Sequence, residues 1–377
     1  MKTKVLFLIP TLENGGAEKV LVNLVNNMDL KRFEITVQTL FDYGVHKARL
    51  RPEIRYCSFI SKPPFRGYSH LIRILPSGLL AKWIIRDHYD VVISYLEGSS
   101  AWITKGCQSK ETKVVSWIHT VMDTERRLKI GFLTSKQALK TYKSADRLVF
   151  VSQSALKAFS DTSGCTSNKF RVIYNTNESD YTKVLAKEKT EDIHFKSEEF
   201  NICSVGKITP NKGFDRLARI AASLRKEGYP VHVYAVGEGE QCAEIKQFLQ
   251  KEGLSDYYTF LGYQQNPYKY ISACDLYVCA SYREGFSTAV TEALIVGTPV
   301  VSTNCSGAHE LLGYNNEYGI VVDNTDQGIL EGIRRMVSDK NLLATYKKQA
   351  VIRGASFSAE KTVKAVEDLI EEVMLES

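Results

Sequence analysis

The stretch DLYVCASYREGFSTAVTEALIVGTPVVST, Asp275–Thr303, contains the pattern that recurs along the whole chain. An apolar run at Asp275–Ala280 is followed by a polar loop, a helical pattern at Thr288–Val296 and a second apolar run at Pro299–Thr303. Short continuous apolar strands joined by a helix are typical of a parallel sheet that is covered on both faces. The stretch therefore predicts one strand–helix–strand unit of an α/β fold.

Two glutamates, Glu284 and Glu292, stand at the loop and the helix of this unit. Ser287 or Thr288 is a favourable N-cap, which places Glu284 in the loop before the helix and Glu292 one turn inside it. The free amide groups at a helix start attract anions. The spacing favours a phosphate group held between two carboxylates that accept hydrogen bonds from hydroxyl groups. A nucleotide sugar has this chemistry.

The same alternation of strand and helix extends outward in both directions. In the first half, strand patterns occur at Lys4–Ile9, Glu34–Leu40, Asp90–Tyr95, Lys113–Ile118, Arg147–Val151 and Arg171–Tyr174. In the second half, they occur at Phe200–Val205, Val231–Val236, Tyr258–Gly262, Asp275–Ala280, Pro299–Thr303 and Gly319–Val322. Helical patterns lie between them, and the amphipathic pattern at Ser358–Leu375 predicts a last helix.

A charged, polar stretch at 181–199 separates the two halves and predicts a linker. We therefore expect an N-terminal domain at 1–180, a C-terminal domain at 200–357 and a helix at 358–377 that packs back on the first domain. The predicted fold class is α/β, with two Rossmann-like, doubly wound parallel-sheet domains that face each other across a cleft. Ligands of such sheets bind at the carboxyl ends of the strands.

The composition is that of a globular protein, with 377 residues, 44% hydrophobic and 24% charged. The net charge of +6 is uneven, because residues 1–180 carry 27 Lys and Arg against 16 Asp and Glu, whereas residues 181–377 carry 22 against 27. Eight cysteines form no CxxC pair, which favours reduced core thiols over a metal site. The longest N-terminal apolar run is too short for a signal peptide or a membrane span, so we expect a cytoplasmic protein.

Three glycine-containing turns follow predicted strands. Gly15 and Gly16 lie in TLENGGAE at 11–18, Gly206 lies in SVGKITPNKG at 204–213, and Gly237 lies in VGEGE at 236–240. Such turns let a ligand approach the backbone, although each is also common in turns without a ligand. The second turn adds Lys207 and Lys212, two cations that suit a diphosphate.

Two further features concern the first half of the chain. His119 ends the strand pattern Lys113–Ile118, where it could contact substrate hydroxyls or have a structural role. The segment 62–86 mixes basic with aromatic and aliphatic residues, which suits an anionic membrane surface but is equally compatible with helices packed on the sheet. No D-x-D pair occurs, which favours lysines and helix dipoles over a metal ion as the phosphate-binding groups.

Taken in order along the chain, these motifs resemble the retaining glycosyltransferases of the GT-B fold, glycosyltransferase family 4. The motifs are GGAE at Gly15–Glu18, WIHT at Trp117–Thr120, VSQS at Val151–Ser154, IYN at Ile173–Asn175, VGKITPNKG at Val205–Gly213, VGEGE at Val236–Glu240, REGFSTAVTEAL at Arg283–Leu294 and GTPVVST at Gly297–Thr303. Two positions depart from the family pattern. Lys207 replaces the more common arginine, and Ala308 in CSGAHE replaces the proline of some polysaccharide-building members.

The resemblance implies a role for each site residue. Glu284 would bind the hydroxyls of the donor sugar, and Glu292 would bind the ribose. Lys207 and Lys212 would neutralise the diphosphate, and His119 would face the transferred sugar. The donor-binding backbone would include Gly15, Gly16, Gly206, Gly237, Gly285, Phe286, Ser287 and Thr288.

The predicted activity is a retaining, metal-independent transfer of a hexose or N-acetylhexosamine. The donor would be a nucleotide-diphosphate sugar, with UDP favoured by the CSGAHE resemblance, and no cofactor is expected. The acceptor would be a growing surface glycan or a lipid-linked acceptor, with the protein peripheral on the inner face of the membrane. A nucleotide-sugar 2-epimerase of the same fold stays an alternative. A basic nucleic-acid-binding protein is a weaker alternative, because no recognised nucleic-acid motif occurs.

Overall fold

The computed structural model describes residues 2–65, 67–191, 193, 195–196 and 198–376. The chain divides into two compact units, which are described separately. Unit 1 comprises Met1–Thr176 and Ala359–Ser377, and unit 2 comprises Asn177–Ser358.

Unit 1 has a seven-stranded parallel sheet in the described part of the chain. Its strands are β1 (Thr3–Ile9), β2 (Phe33–Phe41), β3 (Arg55–Ile60), β4 (Val91–Ser94), β5 (Lys113–Ile118), β6 (Arg147–Phe150) and β7 (Phe170–Val172). They are ordered β3-β2-β1-β4-β5-β6-β7. The central strand β1 is paired with β2 and β4 and is buried from Val5 to Ile9, as expected for an apolar run with helices on both faces.

The helices of unit 1 follow from amphipathic patterns. They are α1 (Gly16–Asn27), α2 (Tyr68–Ile74), α3 (Ser77–Ile84), α4 (Ser99–Thr104), α5 (Glu125–Leu128), α6 (Ser135–Ser144), α7 (Gln153–Ser163) and, after unit 2, α16 (Ala359–Leu375), with short 3₁₀ turns at Val45–Arg49 and Lys105–Cys107. Pro76 separates α2 from α3, because helices usually end at or before the residue that precedes a proline.

Unit 2 has a six-stranded parallel sheet in the described part of the chain. Its strands are β8 (Phe200–Val205), β9 (Val231–Val236), β10 (Tyr258–Gly262), β11 (Leu276–Cys279), β12 (Val300–Thr303) and β13 (Ile320–Val322). Their order is β10-β9-β8-β11-β12-β13. The chain therefore winds in one direction from β8 and in the other from β11, and ligands bind at such a reversal point in open α/β sheets.

The helices of unit 2 cover both faces of this sheet. They are α8 (Ser179–Leu185), α9 (Phe214–Lys226), α10 (Cys242–Lys251), α11 (Tyr268–Ala273), α12 (Thr288–Ile295), α13 (Ala308–Leu312), α14 (Asp326–Ser338) and α15 (Lys340–Gly354), with 3₁₀ turns at Pro210–Lys212 and Ser255–Tyr257. The βαβ unit predicted from Asp275–Thr303 is present as β11, α12 and β12.

The predicted fold class of two Rossmann-like α/β domains is confirmed, with two local differences. β3 was not predicted, because its partly buried sequence RYCSFI contains no continuous apolar run. The predicted linker 181–199 begins inside the helix α8, Ser179–Leu185. This helix packs on α11 and α12 and so is part of unit 2. Residues 192, 194 and 197 of that linker lie outside the described residues.

The C-terminal helix α16 belongs to unit 1, where it packs against α1. Charged groups hold it at its middle and near its C-terminal end. Arg32 Nη1 donates to Glu367 Oε2 at 2.7 Å, and Arg147 Nη2 donates to Glu372 Oε1 at 2.8 Å. Val363, Val366 and Ile370 are buried along one stripe, as the sequence pattern predicts.

Candidate functional site

An ion pair lies between the loops that follow β8 and β11, at the carboxyl ends of the strands in unit 2. The ammonium Nζ of Lys212 is 2.7 Å from Glu284 Oε1 and 2.9 Å from Glu284 Oε2. Ser281 Oγ donates a second hydrogen bond to Glu284 Oε1 at 2.7 Å. Two residues that the sequence placed in separate motifs therefore form one ion pair at the reversal point of the sheet.

The Lys212–Glu284 pair is partly shielded from water. The side chain of Lys212 is 32% exposed and that of Glu284 is 11% exposed. Burial alone would lower the pKa of Lys212, but the adjacent Glu284 carboxylate outweighs it, and the pKa of Lys212 is raised. Lys212 therefore stays a cation throughout the physiological range, at a point where the stem of its side chain passes over Gly206.

The backbone around Lys212 is fixed by close packing on the end of β11. Gly213 has φ +69°, and a Cβ at this position would lie 2.1 Å from the carbonyl oxygen of Ala280. Asn211 binds the other loop twice, because its carbonyl accepts from the amide of Tyr282 at 2.9 Å and its Nδ2 donates to the carbonyl of Arg283 at 3.0 Å. The two loops are thus held together before any ligand binds.

The helix α12 begins where the sequence predicts. Ser287 is the N-cap, and its Oγ accepts from the amide of Val290 at 3.4 Å. Phe286 is buried beside Gly307, whereas Thr288 is the first helical residue. Glu292 lies one turn inside the helix with only 4% of its surface exposed. With so little of its surface exposed, Glu292 could contact a ligand only through the small part that is accessible.

The other predicted residues of unit 2 occupy the same edge of the sheet. Lys207 is exposed on the loop after β8, and Gly285 accepts a hydrogen bond from Ser306 Oγ at 3.1 Å. A Cβ on Gly237 would lie 2.0 Å from the carbonyl oxygen of Gly206. The need for glycine at position 237 is therefore explained by packing between two strand ends, whatever ligand binds there.

In unit 1, the predicted glycine turn lies at the start of α1. Gly15 is the N-cap and Gly16 is the first helical residue. The space that a Cβ on Gly15 would need is occupied by the carboxylate of Glu18, at 2.0 Å. The turn thus has the predicted position, and an acidic side chain covers Gly15.

His119 follows β5 in unit 1, as its sequence position predicts. Its ring centroid lies 4.9 Å from that of Tyr95, and its amide donates to Glu97 Oε2 at 3.0 Å. Burial lowers the pKa of His119 to about 3, so the imidazole is neutral at physiological pH. Within the described residues its buried Nε2 has no hydrogen-bond partner, a feature that is rare in native proteins without a water or ligand.

Several residues that support the site were missed from the sequence. Ser281 contacts Glu284 directly, and Arg216, only 1% exposed, donates to Asp326 Oδ1 at 2.8 Å and to Asn324 Oδ1 at 2.7 Å. The thiols of Cys279 and Cys305 share a hydrogen bond that lowers the pKa of Cys279 and raises the pKa of Cys305. Arg216 and the two cysteines meet partners that are distant in sequence, so no local pattern predicts these contacts, whereas Ser281 lies only three residues before Glu284.

Among the described residues, no group of three or more His, Cys, Asp or Glu side chains could hold a metal ion. None of the helices described above combines the length and the apolar character needed to cross a bilayer. All eight cysteines are free thiols.

Comparison with known families assigns both units. The profile of the family described as Glycosyltransferase Family 4 matches residues 14–176, and the profile described as Glycosyl transferases group 1 matches residues 186–353. The two matches together span most of the chain, and the second contains Lys207, Lys212, Glu284 and Glu292.

Named relatives and solved structures agree with this assignment. The chain is 26% identical over 370 residues, 94% of its length and 96% of the relative's, to N-acetylgalactosamine-N,N'-diacetylbacillosaminyl-diphospho-undecaprenol 4-alpha-N-acetylgalactosaminyltransferase of Campylobacter jejuni. It is 30% identical over 142 residues, 37% of its length and 40% of the relative's, to the lipopolysaccharide core biosynthesis glycosyltransferase LpsE of Rhizobium meliloti. The crystal structure of Anabaena Alr3699/HepE in complex with UDP-glucose has the same fold, with a TM-score of 0.80, 23% identity and coverage of 98% of this chain and 99% of that one.

Proposed function

Because the chain belongs to the glycosyltransferases of the GT-B fold, we propose that it moves a hexose or N-acetylhexosamine from UDP to a lipid-linked or surface glycan, with retention of configuration. The donor part of the proposal is supported by the structural neighbour that was solved with UDP-glucose. The acceptor part is supported by the Campylobacter relative, whose name includes diphospho-undecaprenol.

The observation that carries the proposal is the Lys212–Glu284 ion pair at the reversal point of the sheet. When the bond between a sugar and a diphosphate breaks, negative charge develops on the phosphate oxygens. A cation held in place by Glu284 and partly shielded from water stabilises that charge without first reorganising. Lys207 and the amides at the start of α12 would add to this field, so the reaction needs no metal ion in this proposal.

The carboxylates would bind hydroxyl groups and leave nucleophilic attack to the acceptor. Both oxygens of Glu284 are within 2.9 Å of Lys212 Nζ, and this pairing weakens Glu284 as a nucleophile. In the proposed reaction Glu284 accepts a hydrogen bond from a hydroxyl of the donor sugar, and Glu292 accepts from the ribose. The leaving phosphate would then take the proton of the attacking acceptor hydroxyl. The contact of His119 with the transferred sugar stays a prediction from the resemblance.

The donor is tested by thermal unfolding with UDP, GDP and ADP, because a ligand that binds the folded state stabilises it in proportion to its affinity. We expect UDP to raise the melting temperature most. A UDP-sugar incubated with the protein and an acceptor extract should give a glycosylated product whose anomeric proton coupling in NMR matches that of the donor. Failure of all three nucleotides to stabilise the protein would contradict the proposal. Conversion of the UDP-sugar into an isomer without acceptor would instead identify an epimerase.

Contact with an anionic membrane is proposed for the α2–α3 surface, residues 62–86, of which Arg66 lies outside the described residues. Leu71, Ile74, Leu79 and Trp83 are each at least 36% exposed, and α2 has no buried residue. Lys62, Lys82 and Arg86 are also exposed. Exposed apolar groups among cations suit the headgroup region of a bilayer.

This proposal is tested by cosedimentation with vesicles that contain or lack an anionic lipid. We expect binding only to anionic vesicles and weaker binding at high salt. The double variant Leu71→Ser/Ile74→Ser should bind less, whereas Val351→Ser/Ile352→Ser, which alters two equally exposed residues of unit 2, should bind as the wild type does. Equal binding by both variants, or no binding at low salt, would refute the proposal.

A further inference from the structure

One carboxylate at the carboxyl ends of the strands in unit 1 has no cationic partner. Glu97 follows β4, which is paired with β5 in the sheet, and it is partly buried. It forms no ion pair with any Lys, Arg or His of the described residues, although residues 1–180 carry 27 Lys and Arg against 16 Asp and Glu. A carboxylate taken partly out of water is usually paired with a cation, and exceptions to such rules concentrate at functional sites.

The two oxygens of Glu97 have different surroundings. Oε2 accepts a hydrogen bond from the backbone amide of His119 at 3.0 Å. In the part of the chain that the structure describes, no donor reaches Oε1. Unlike Nε2 of His119, this oxygen is not buried, so solvent reaches it. A ligand at this edge of the sheet can therefore donate a hydrogen bond to Oε1.

The loop that carries Glu97 is held in place by its neighbours. The next residue, Gly98, has φ +77°, and its amide donates to Tyr142 Oη at 3.4 Å. A Cβ on Gly98 would lie 3.0 Å from the carbonyl oxygen of Ile130, and a Cβ on Gly131 would lie 2.6 Å from the Cα of Gly98. Close backbone packing on one side and the His119 amide on the other thus orient the carboxylate before a ligand binds, which lowers the entropic cost of binding.

The charge of Glu97 determines which ligands it accepts. Its hydrogen-bonded neighbour His119 is neutral, because burial lowers the pKa of His119 to about 3. The negative charge of Glu97 is therefore not cancelled by the residue that holds it. Such a carboxylate attracts hydroxyl and amide donors and repels carboxylates and phosphates, and repulsion of this kind is a means of discriminating between ligands of similar shape.

We propose that Glu97 selects the acceptor by charge: its Oε1 accepts a hydrogen bond from a hydroxyl of an uncharged acceptor sugar, and its unpaired charge excludes acidic sugars such as uronic acids. The assignment of an acceptor to unit 1 rests on the proposed function, which uses the Lys212–Glu284 pair of unit 2 for the donor phosphates. Selection by charge goes beyond that function, because neither the family nor the reaction specifies whether the acceptor sugar is neutral or acidic.

The experiment uses the full chain and pairs of probes that differ only in a hydroxymethyl group or a carboxylate at the same carbon. One pair is methyl α-D-glucoside and methyl α-D-glucuronide, and the other is methyl α-D-galactoside and methyl α-D-galacturonide. Dissociation constants are measured by saturation-transfer NMR titration at neutral pH and low salt. We expect the wild type to bind the neutral member of at least one pair about tenfold more tightly than its acidic partner, because a like charge opposes binding of the latter.

Three variants test whether Glu97 causes this preference. Glu97→Gln removes the charge and keeps an oxygen for the His119 amide, so the acidic probe should gain affinity and the preference should disappear. Glu97→Ala should also weaken binding of the neutral probe roughly tenfold, the loss of one hydrogen bond. Glu111→Gln is the matched control, because Glu111 is an exposed carboxylate of unit 1 in the loop before β5, at the opposite end of the strands. It should keep the wild-type preference.

The preference between paired probes distinguishes selection from a structural role. If Glu97 only supported the fold, its variants would weaken both members of a pair equally and leave their ratio unchanged, and this result would overturn the proposal. Equal binding of both members by the wild type, or no binding of either neutral probe, would overturn it as well. Stabilisation by UDP is measured on the same proteins and should be unchanged in all three variants. Failure of the nucleotide proposal and failure of acceptor selection therefore give different results.

Discussion

Unit 1 and unit 2 have central strands in the same order, but different side chains stand at the carboxyl ends of those strands. In unit 2, the loops after β8 and β11 bring a lysine and a glutamate into contact. In unit 1, the turn after β1 is covered by Glu18, and the strand β5 ends at a neutral histidine. Among the described residues, the loops after β8 and β11 of unit 2 carry the ion pair that suits an anionic leaving group, whereas the ends of β1 and β5 in unit 1 carry a glycine turn and a neutral histidine.

The largest effect is expected when Lys212, the cation of the ion pair in unit 2, is removed. Lys212→Ala should lower kcat/KM for sugar transfer by about 10²–10³-fold, the usual loss when one group that stabilises developing negative charge is removed. The variant also leaves the carboxylate of Glu284 without its cation. The measurement is steady-state transfer with the UDP-sugar identified by thermal unfolding.

Lys226→Ala is the matched control for this variant. Lys226 is in the same unit, is 70% exposed and pairs with Glu252 at 2.7 Å. An exposed ion pair of this kind contributes up to about 1 kcal/mol to stability and nothing to the reaction, so turnover should be unchanged. If Lys212→Ala were as active as Lys226→Ala, the ion pair would not be part of the catalytic site.

The Lys212–Glu284 contact also shows where sequence reasoning ends. The apolar runs predicted every strand of the described residues except β3, because strands covered on both faces leave a continuous apolar signal and the sequence of β3, RYCSFI, does not. The start of α12 at Ser287 was predicted from its capping chemistry. In contrast, Lys212 and Glu284 are 72 residues apart, and Arg216 lies 110 residues before its partner Asp326. Such contacts depend on tertiary structure, and neither spacing nor composition records them.

A smaller effect is expected at His119, the neutral histidine that follows β5 in unit 1. His119→Ala should lower transfer by about tenfold, the value of one hydrogen bond to the substrate. Burial lowers the pKa of His119 to about 3, so His119 should not titrate near the ordinary histidine pKa of 6.5. The pH–rate profiles of the wild type and of His119→Ala should therefore have the same shape around pH 6.5. The measurement is a pH–rate profile of both proteins, and an NMR titration of the His119 ring should show a neutral imidazole at pH values near 6.5. A wild-type inflection that vanishes in the variant would contradict the neutral assignment.

The lowered pKa of His119 also predicts how acid affects the free energy of unfolding. Unfolded His119 takes up a proton as the pH falls below 6.5, whereas the folded protein does not take it up until about pH 3. Within this window the unfolded state binds more protons, so the free energy of unfolding decreases as the pH falls. His119→Ala should show a shallower decrease than the wild type when chemical unfolding is followed at several pH values.

The smallest expected effect concerns the ion pairs of the buried arginines in the two units, Arg216 and Arg147. Unit 2 buries Arg216 between Asp326 and Asn324, whereas unit 1 holds the helix α16 through carboxylates at its surface. Glu372→Gln should destabilise the protein by about 1 kcal/mol, because Arg147, only 4% exposed on its side chain, loses one of its charged partners but keeps Glu376. The measurement is denaturant unfolding, with Asp368→Asn as the control on an exposed pair of the same helix.

The pH dependence of this variant separates a charge effect from loss of packing. The hydrogen bond from Arg147 lowers the pKa of Glu372 below its ordinary value of 4.5. The ion pair therefore stabilises unit 1 above that value, and its contribution disappears as the pH falls through the lowered pKa. Glu372→Gln and the wild type should consequently differ at neutral pH and converge in acid. A difference that persists at a pH below the lowered pKa would mean that Glu372 acts through its shape, and that the attachment of α16 does not depend on charge.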